Sequence, residues 1–406
     1  MTLNILIAAS GFEGSLSLRE ATNAVAVGLR RAMPDLEVAK IPLALGGKGF
    51  AAALVDATGG SLHPVSVTGP LGKPVRAFFG LLGGEGPTTA VIETAAAAGF
   101  ELVEREACDP SRTTSYGVGE LIRVALSAGA DRILLGCGDT LPCDGGAGMA
   151  QALGVQLLDA EGREIGFAAA ELTRLAAVDL SKRDPRLDKV KIDVAVDWHA
   201  VLLGPRGVAR SLPSKVAATP EQVATIETAL TDYAAKLKAA TGLEVGSVGG
   251  GGVSGGLGAA AWSLLGAKLL PHFDAIACHL PLLESLEAAD LVLAVEGPSE
   301  TGPPDTRILS AIVRKAKLSS RPVVVLATGQ EESAGVAADY GADLLLDVVR
   351  HTRDSEGGQL SEAKSLVRTA EEVVRLIRLG LEIGAARADL PNEEPLAPPK
   401  LSSNCC

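Results

Sequence analysis

Short apolar runs alternate with longer amphipathic stretches along most of this chain. The runs Leu3–Ala9, Arg132–Cys137 and Pro322–Ala327 consist largely of Val, Ile, Leu and Ala. Such runs are typical of strands that are buried on both faces of a parallel sheet. In Leu18–Ala32 and Pro220–Ala240, apolar residues recur every three or four positions, which predicts amphipathic helices. Because predicted strands and helices alternate, the pattern indicates an α/β fold built from mostly parallel sheets.

The same two patterns predict most of the remaining elements. Further strands are expected at Leu36–Pro42, Leu62–Val67, Ala77–Leu82, Thr89–Glu93, Ile192–Asp197, Leu291–Glu296 and Leu344–Val348, and further helices at Gly117–Ala130, Thr306–Lys317 and Ala363–Leu381. The second and third of these strands are joined by Gly69-Pro70-Leu71-Gly72, which favours a tight turn and therefore a hairpin. Four prolines lie among polar residues after Ala385, so residues 385–406 are predicted to form a flexible tail.

The composition determines what kind of core these elements can form. Hydrophobic residues make up 47% of the 406 residues, but aromatic residues only 3%, and there are 47 glycines. The core must therefore be built from Ala, Val, Leu and Ile, with many close backbone contacts. A chain of this length is expected to form two or three domains.

The charge and hydropathy of the chain disfavour several classes of partner and location. A net charge of −12, with no basic stripe carrying interleaved aromatic residues, argues against binding to nucleic acid. The uncharged stretch 246–267 is long enough to span a membrane, but the glycines in its first half would leave backbone groups unsatisfied in lipid. Leu3–Ala9 is too short for a signal-peptide core, and the six cysteines are scattered. We therefore expect a soluble cytoplasmic protein with reduced thiols and no membrane segment.

Three glycine-rich turns lie between predicted strands and helical segments. They contain Gly46-Gly47, Gly145-Gly146 and Gly255-Gly256. Glycine lets the backbone approach a ligand closely, and the helix N-terminus that follows presents free N–H groups to an anion. Tight packing between strands and helices is the structural alternative, but three such turns in one chain favour a bound anion. Thr113-Thr114-Ser115 offers three hydroxyls where a helix begins, whereas a helix cap needs only one.

Four motifs make the chain similar to a known family. They are Thr113-Thr114-Ser115-Tyr116-Gly117, Cys143-Asp144-Gly145-Gly146-Ala147-Gly148-Met149, Leu202-Leu203-Gly204-Pro205-Arg206-Gly207 and Ser254-Gly255-Gly256-Leu257-Gly258. In the order and spacing of these motifs, from Leu3 to about Gly380, the chain resembles the bacterial type II glycerate kinase family. The resemblance implies a two-domain α/β fold in which the domains interleave along the chain. A Rossmann-like parallel-sheet domain would comprise residues 1–75 and 285–384, and a second α/β domain residues 76–284.

The resemblance also implies an activity and a set of site residues. Family members transfer the γ-phosphate of ATP to a hydroxyl of glycerate, so the expected ligands are ATP, Mg²⁺ and a small hydroxy acid, bound in the cleft between the domains. The implied catalytic residues are Asp144, Asp197 and Glu296, of which Asp144 and Asp197 would bind Mg²⁺. The implied substrate- or phosphate-binding residues are Ser15, Gly46, Gly47, Thr113, Thr114, Ser115, Gly145, Gly146, Arg206, Gly255, Gly256 and Arg307.

Several charged positions depart from the family pattern. Glu13 stands where the family has lysine, Leu45 where it has an acid, and Lys48 where it typically has glutamate. If Glu13 and Lys48 face each other, the exchange preserves an ion pair; independent change at two exposed positions is the alternative. Two functions therefore stay open: a working glycerate 2-kinase, or a relative that binds a small anion without phosphoryl transfer. A homodimer is compatible with either function.

Overall fold

The structure, a computed structural model, describes residues 3–12, 16–104, 108–216, 218–297, 308–328, 341–348 and 362–388. Its strands are β1 (Asn4–Ser10), β2 (Glu37–Pro42), β3 (Ser61–Thr68), β4 (Pro74–Leu81), β5 (Thr89–Glu93), β6 (Arg132–Gly136), β7 (Gln156–Leu158), β8 (Ala177–Asp179), β9 (Lys191–Val196), β10 (Lys268–Pro271), β11 (Leu291–Glu296), β12 (Val323–Ala327) and β13 (Leu344–Asp347). Its helices are α1 (Leu18–Ala32), α2 (Phe50–Thr58), α3 (Ala95–Ala98), α4 (Tyr116–Ser127), α5 (Ala147–Ala152), α6 (Val208–Val216), α7 (Pro220–Thr241), α8 (Val253–Leu265), α9 (His272–Ala277), α10 (Leu282–Ala288), α11 (Ile308–Leu318) and α12 (Glu362–Ala388).

Two large sheets form the framework of the described residues. In sheet A the strand order is β13-β12-β11-β1-β2, and all neighbouring strands are parallel. In sheet B the order is β10-β9-β6-β5-β4-β3, in which β10 to β5 are parallel and β4 and β3 are antiparallel to their neighbours. The strands β7 and β8 form a separate two-stranded ribbon. This arrangement confirms the α/β fold with parallel sheets.

The hydrophobic core lies in three layers around the two sheets. The helices α1 and α12 cover one face of sheet A. The helices α2, α9, α10 and α11 fill the space between sheets A and B, with Leu6 and Val292 facing them from sheet A and Val91 and Leu134 from sheet B. The helices α3 to α8 cover the outer face of sheet B. Because the middle layer joins the two sheets, it fixes how their strand ends lie relative to each other.

The strand pairing bears on where the chain passes from one sheet to the other. Strands β3 and β4 pair from Ser61 with Leu81 to Thr68 with Pro74, so the domain boundary expected at residue 75 falls inside one hairpin. The pairing favours a change of sheet near residue 60 instead. We propose that the domains follow the sheets, with the second change between α10 and β11.

The predicted elements differ from the structure mainly where they are short. The three-residue strands β7 and β8 and the four-residue strand β10 carry too few positions to show a pattern. Residues 385–388, predicted to belong to a flexible tail, are the last residues of α12; residues 389–406 of that prediction lie outside the described residues. Within the part of the chain that is described, no helix is both long and apolar enough to cross a membrane.

Candidate functional site

The carboxyl ends of the two sheets meet at the turn that contains Gly46 and Gly47. Gly46 follows β2 of sheet A, and a Cβ placed on it would lie 2.8 Å from the carbonyl oxygen of Cys137, which follows β6 of sheet B. Gly46 has φ +91°, a value that favours glycine. The N–H of Lys48 donates to Oδ2 of Asp139 at 2.9 Å, which ties the two loops together. Parallel α/β sheets bind ligands outside such carboxyl edges, so the space outside these strand ends, called the crevice below, is the candidate site.

Glu93 ends β5 and lies against the N-terminus of α2. It is 3% exposed, and its Oε2 accepts a hydrogen bond from the N–H of Ala51 at 3.0 Å. Burial raises the pKa of Glu93 to about 6, against the opposing effect of hydrogen bonds from Ala51 and Gly49. The helix N-terminus that follows the first glycine turn is therefore occupied by the protein's own carboxylate.

Glu93 makes stability depend on pH in a predictable direction. Its folded-state pKa, about 6, is raised above the ordinary value of 4.5, so folding favours the protonated form between these two pH values. The contribution of Glu93 to the free energy of unfolding is most favourable below pH 4.5. As the pH rises through about 6, about 2 kcal/mol of this stability is lost. Denaturant titrations at several pH values should show this loss in the wild type and not in Glu93→Gln. The exposed Glu101→Gln should keep the wild-type dependence, and equal pH dependence of Glu93→Gln and the wild type would contradict the assignment.

Asp197 and His272 lie at the same edge of sheet B. Asp197 directly follows β9, is exposed, and accepts a hydrogen bond at Oδ1 from the N–H of His199 at 2.9 Å. His272 follows β10, and its Cε1 would lie 3.0 Å from a Cβ placed on Gly46. Burial lowers the pKa of His272 to about 4, against the opposing charge of Asp197. At neutral pH the imidazole is therefore uncharged, and Asp197 beside it is an accessible carboxylate.

Asp144 has different surroundings, because it is fully buried. Its Oδ2 accepts hydrogen bonds from the N–H of Ser115 (2.8 Å), the hydroxyl of Ser115 (2.9 Å) and the N–H of Gly148 (3.2 Å). Its Oδ1 accepts from the N–H of Gly146 at 3.1 Å. Burial raises the pKa of Asp144, and these four donors oppose that effect. Both oxygens are engaged by the protein, so Asp144 does not fit the implied Mg²⁺-binding role, and its geometry favours a structural one.

The glycines of the second and third turns pack against each other. The N–H of Gly145 donates to the carbonyl of Gly255 at 3.0 Å. A Cβ on Gly256 would lie 2.7 Å from Cα of Gly145, and one on Gly255 would overlap the carbonyl oxygen of Pro142. Tight packing, the structural alternative for these turns, therefore accounts for Gly145, Gly255 and Gly256. The same contacts bring the two turns to one side of sheet B.

The motif Thr113-Thr114-Ser115 is connected to the second glycine turn through the hydrogen bonds of Ser115 to Asp144. Thr113, Thr114 and Ser115 are all buried. The hydroxyl of Thr113 donates to the carbonyl of Pro110 at 3.1 Å, and Thr114 accepts from the N–H of Tyr116. With Ser115 bound to Asp144, all three hydroxyls have protein partners.

A chain of contacts links most of the expected site residues. The hydroxyls of Thr94 and Ser254 lie 3.1 Å apart, which joins the end of β5 to the third glycine turn. At the other end of the glycine run, a Cβ on Gly249 would lie 3.0 Å from the carbonyl oxygen of Trp198, next to Asp197. Asp144, Asp197 and Gly255 therefore share one region at the carboxyl edge of sheet B.

Of the other four expected residues, two can be placed in the structure. Glu296 ends β11 in sheet A and is buried; its carbonyl accepts hydrogen bonds from the N–H and the hydroxyl of Thr328. Arg206 is exposed on the turn before α6. Ser15 and Arg307 lie outside the described residues.

Of the two residues expected to form an exchanged ion pair, Glu13 and Lys48, the structure describes Lys48. Nζ of Lys48 lies 2.7 Å from Oε2 of Glu101, and both side chains are exposed. Glu13 lies outside the described residues. The described partner of Lys48 is therefore Glu101.

The described side chains provide one of the two carboxylates expected to bind Mg²⁺. Among the described residues, no group of three or more His, Cys, Asp and Glu side chains is placed to hold a metal ion. Mg²⁺ in kinases is usually held by one or two carboxylates together with substrate phosphates. Asp197, exposed at the crevice, fits that requirement, whereas Asp144 does not.

Sequence reasoning did not select Glu93, Asp139 or His272 as site residues. Glu93 ends a predicted strand, as Asp197 does, and Asp139 lies two residues after one, so a place at the end of a strand was the available signal. His272 follows a strand of four residues that shows no clear pattern. The shared feature of these residues, a place at the carboxyl edge of sheet B, becomes visible only once the strand order is known.

Comparison with known proteins places the chain in a family. A model of the glycerate kinase family matches residues 5–378. The chain is 36% identical over 375 residues to a glycerate kinase from Haemophilus influenzae, covering 92% of this chain and 99% of that protein. It is 35% identical over 379 residues to the glycerate 2-kinase of Escherichia coli K12, covering 93% and 99%.

A solved structure agrees with these sequence matches. The crystal structure of a candidate glycerate kinase 2 from Salmonella typhimurium LT2 superposes with a TM-score of 0.83 at 36% identity, covering 94% of this chain and 100% of that one. The fold, the order of the glycine turns and matches along nearly the whole length lead to one conclusion. The chain belongs to the glycerate kinase family.

Proposed function

We propose that this protein is a glycerate kinase, which transfers the γ-phosphoryl group of ATP to a hydroxyl of glycerate or of a closely related hydroxy acid. The observation that carries the proposal is the exposed Asp197 carboxylate at the crevice where the carboxyl ends of sheets A and B meet. The relatives named glycerate kinase support the choice of reaction and acceptor.

Asp197 takes the central chemical role in this proposal. In the transfer, the acceptor oxygen bonds to the γ-phosphorus, the bond from that phosphorus to the ADP oxygen breaks, and the hydroxyl proton passes to a base. An accessible carboxylate can receive that proton. When bound, Mg²⁺ would neutralise charge on the transferring phosphates, and the exposed carboxylate of Asp197 would serve as a protein ligand. His272, neutral beside it, adds no charge to the crevice.

Asp144 supports the site indirectly in this proposal. Its four hydrogen bonds hold the Ser115 backbone against the second glycine turn, which in turn rests on Gly255. Preorganised loops matter because a small displacement of catalytic groups greatly lowers the rate. We propose that Asp144 is a positioning residue for the crevice.

Binding without phosphoryl transfer remains the second candidate function. The specific observation in its favour is that Gly145 and Gly255 pack on protein atoms. Two glycines expected to hold phosphate are thus engaged by the protein itself. Losing one charge-stabilising group typically costs about 10²- to 10³-fold in rate.

Turnover by the purified protein tests the proposal. Incubation with ATP, Mg²⁺ and D-glycerate should release ADP in a glycerate-dependent manner, and parallel thermal shifts should show stabilisation by ATP. Omission of glycerate controls for hydrolysis. Stabilisation by ATP with no glycerate-dependent ADP would overturn the kinase proposal in favour of binding alone.

A further inference from the structure

A cationic groove lies at the amino-terminal edge of sheet B, away from the candidate site. It encloses about 510 Å³, and its lining includes Arg132, Lys191, Lys268 and Cys278. The three cations are the first residues of β6, β9 and β10. Because β9 runs six residues from Lys191 to Val196, Lys191 at the charged end of the groove is roughly 20 Å from Asp197. The lining continues along the sheet to Leu270, which pairs with Ala195, but its three cations lie at the strand ends opposite to the candidate site.

The strand register places these cations on one face of the sheet. Arg132 pairs with Lys191, and Lys268 pairs with Asp193, two positions further along β9. Register partners in a parallel sheet, and residues two apart on a strand, share a face. This is the face that carries Leu134 toward sheet A. A face that is otherwise apolar thus gathers three positive charges at its rim.

The lining of the groove also includes one carboxylate, Asp193, which lies beside a histidine. Asp193 lies with its Oδ2 3.5 Å from Nε2 of His279, whose side chain is 3% exposed. The side chain of His279 lowers the pKa of Asp193, and the charges of Arg132 and Lys268 add to that effect. The groove therefore holds three cations and one carboxylate, in a chain whose net charge is −12. Local charge of this sign attracts anions in spite of the overall charge.

We propose that this groove binds a phosphate dianion, either free or as a small phosphate ester. Two lysines and an arginine supply the charge-assisted donors that tetrahedral oxyanions accept. Val190 and Leu270 in the lining offer apolar contact for a short carbon chain. The volume exceeds that of free phosphate, and no aromatic side chain lines the groove for base stacking, so a small ester fits better than a nucleotide. This proposal stands independently of the proposed kinase activity.

The rate at which Cys278 is alkylated reports whether a ligand occupies the groove, because this cysteine is exposed in the lining. The full-length protein is treated with iodoacetamide, a neutral reagent, and alkylation of Cys278 is followed by peptide mass mapping. Inorganic phosphate and glycerol 2-phosphate are titrated separately, with sodium chloride holding ionic strength constant. We expect saturable slowing of at least threefold in the millimolar range, and the more effective of the two probes identifies whether the free or the esterified form is preferred.

Removing positive charges from the groove distinguishes phosphate binding there from a general effect of phosphate on alkylation. The double variant K191A/K268A should lose the protection, while the matched control K73A/K182A, which removes two exposed lysines elsewhere, should keep it. Circular dichroism checks that each variant is folded. Absence of protection by both probes, or equal protection in K191A/K268A and the wild type, would overturn the proposal.

Discussion

Replacing Asp144 by alanine is expected to lower the free energy of unfolding by more than about 3 kcal/mol. The substitution leaves four donors in the protein interior without their acceptor: the N–H and hydroxyl of Ser115 and the N–H groups of Gly146 and Gly148. Each unsatisfied buried donor costs roughly 1–3 kcal/mol, and water entering the vacated space recovers only part of that. The loss should appear as a lower denaturation midpoint by circular dichroism.

Two further variants separate the parts of this effect. Ser115→Ala removes one donor to Asp144 and leaves the N–H of Met149 without its acceptor, so a smaller loss of roughly 1–2 kcal/mol is expected. Asp197→Ala is the matched control, since it removes an exposed aspartate whose described hydrogen bond is to the adjacent turn, and its stability should lie within about 0.5 kcal/mol of the wild type. An Asp144→Ala protein with wild-type stability and no turnover would assign Asp144 to the chemistry instead.

Asp144 also illustrates why part of the site was beyond sequence reasoning. An acid followed by two glycines suits both a cradle for an anion and a buried acceptor for backbone N–H groups. Its partner Ser115 lies 29 residues earlier in the chain. Nothing local indicates that the two meet, so the pattern could not distinguish the two roles.

The fold was more accessible because its signals are local. The apolar runs that form β1, β6, β11 and β12 are continuous and rich in Leu, Ile, Val and Ala, and each was predicted near its observed position. The order of strands within the sheets is not local, and it determines which loop ends share an edge. Asp197 was named through the family resemblance; that it lies near His272 and Gly46 depends on strand order and on the middle helical layer.

Replacing Asp197 by asparagine is expected to lower kcat for glycerate phosphorylation by about 100- to 1,000-fold while leaving the fold intact. The side chain is exposed at the crevice, so the amide fits in place of the carboxylate without burying a new polar group. What is lost is a negative charge able to take up the acceptor proton or to bind Mg²⁺, and loss of a general base costs roughly 10²–10⁴ in rate. The measurement is steady-state ADP production at saturating ATP.

Varying the Mg²⁺ concentration decides which of the two roles Asp197 has. If it serves as the base, kcat falls at every Mg²⁺ concentration and the half-saturating concentration stays the same. If it is a metal ligand, that concentration rises, and part of the lost rate returns at high Mg²⁺. The control Asp232→Asn changes an exposed aspartate on α7 and should match the wild type in both measurements. An Asp197→Asn enzyme with wild-type kcat and wild-type Mg²⁺ dependence would remove the residue from the mechanism, because no step of the transfer would then need its charge.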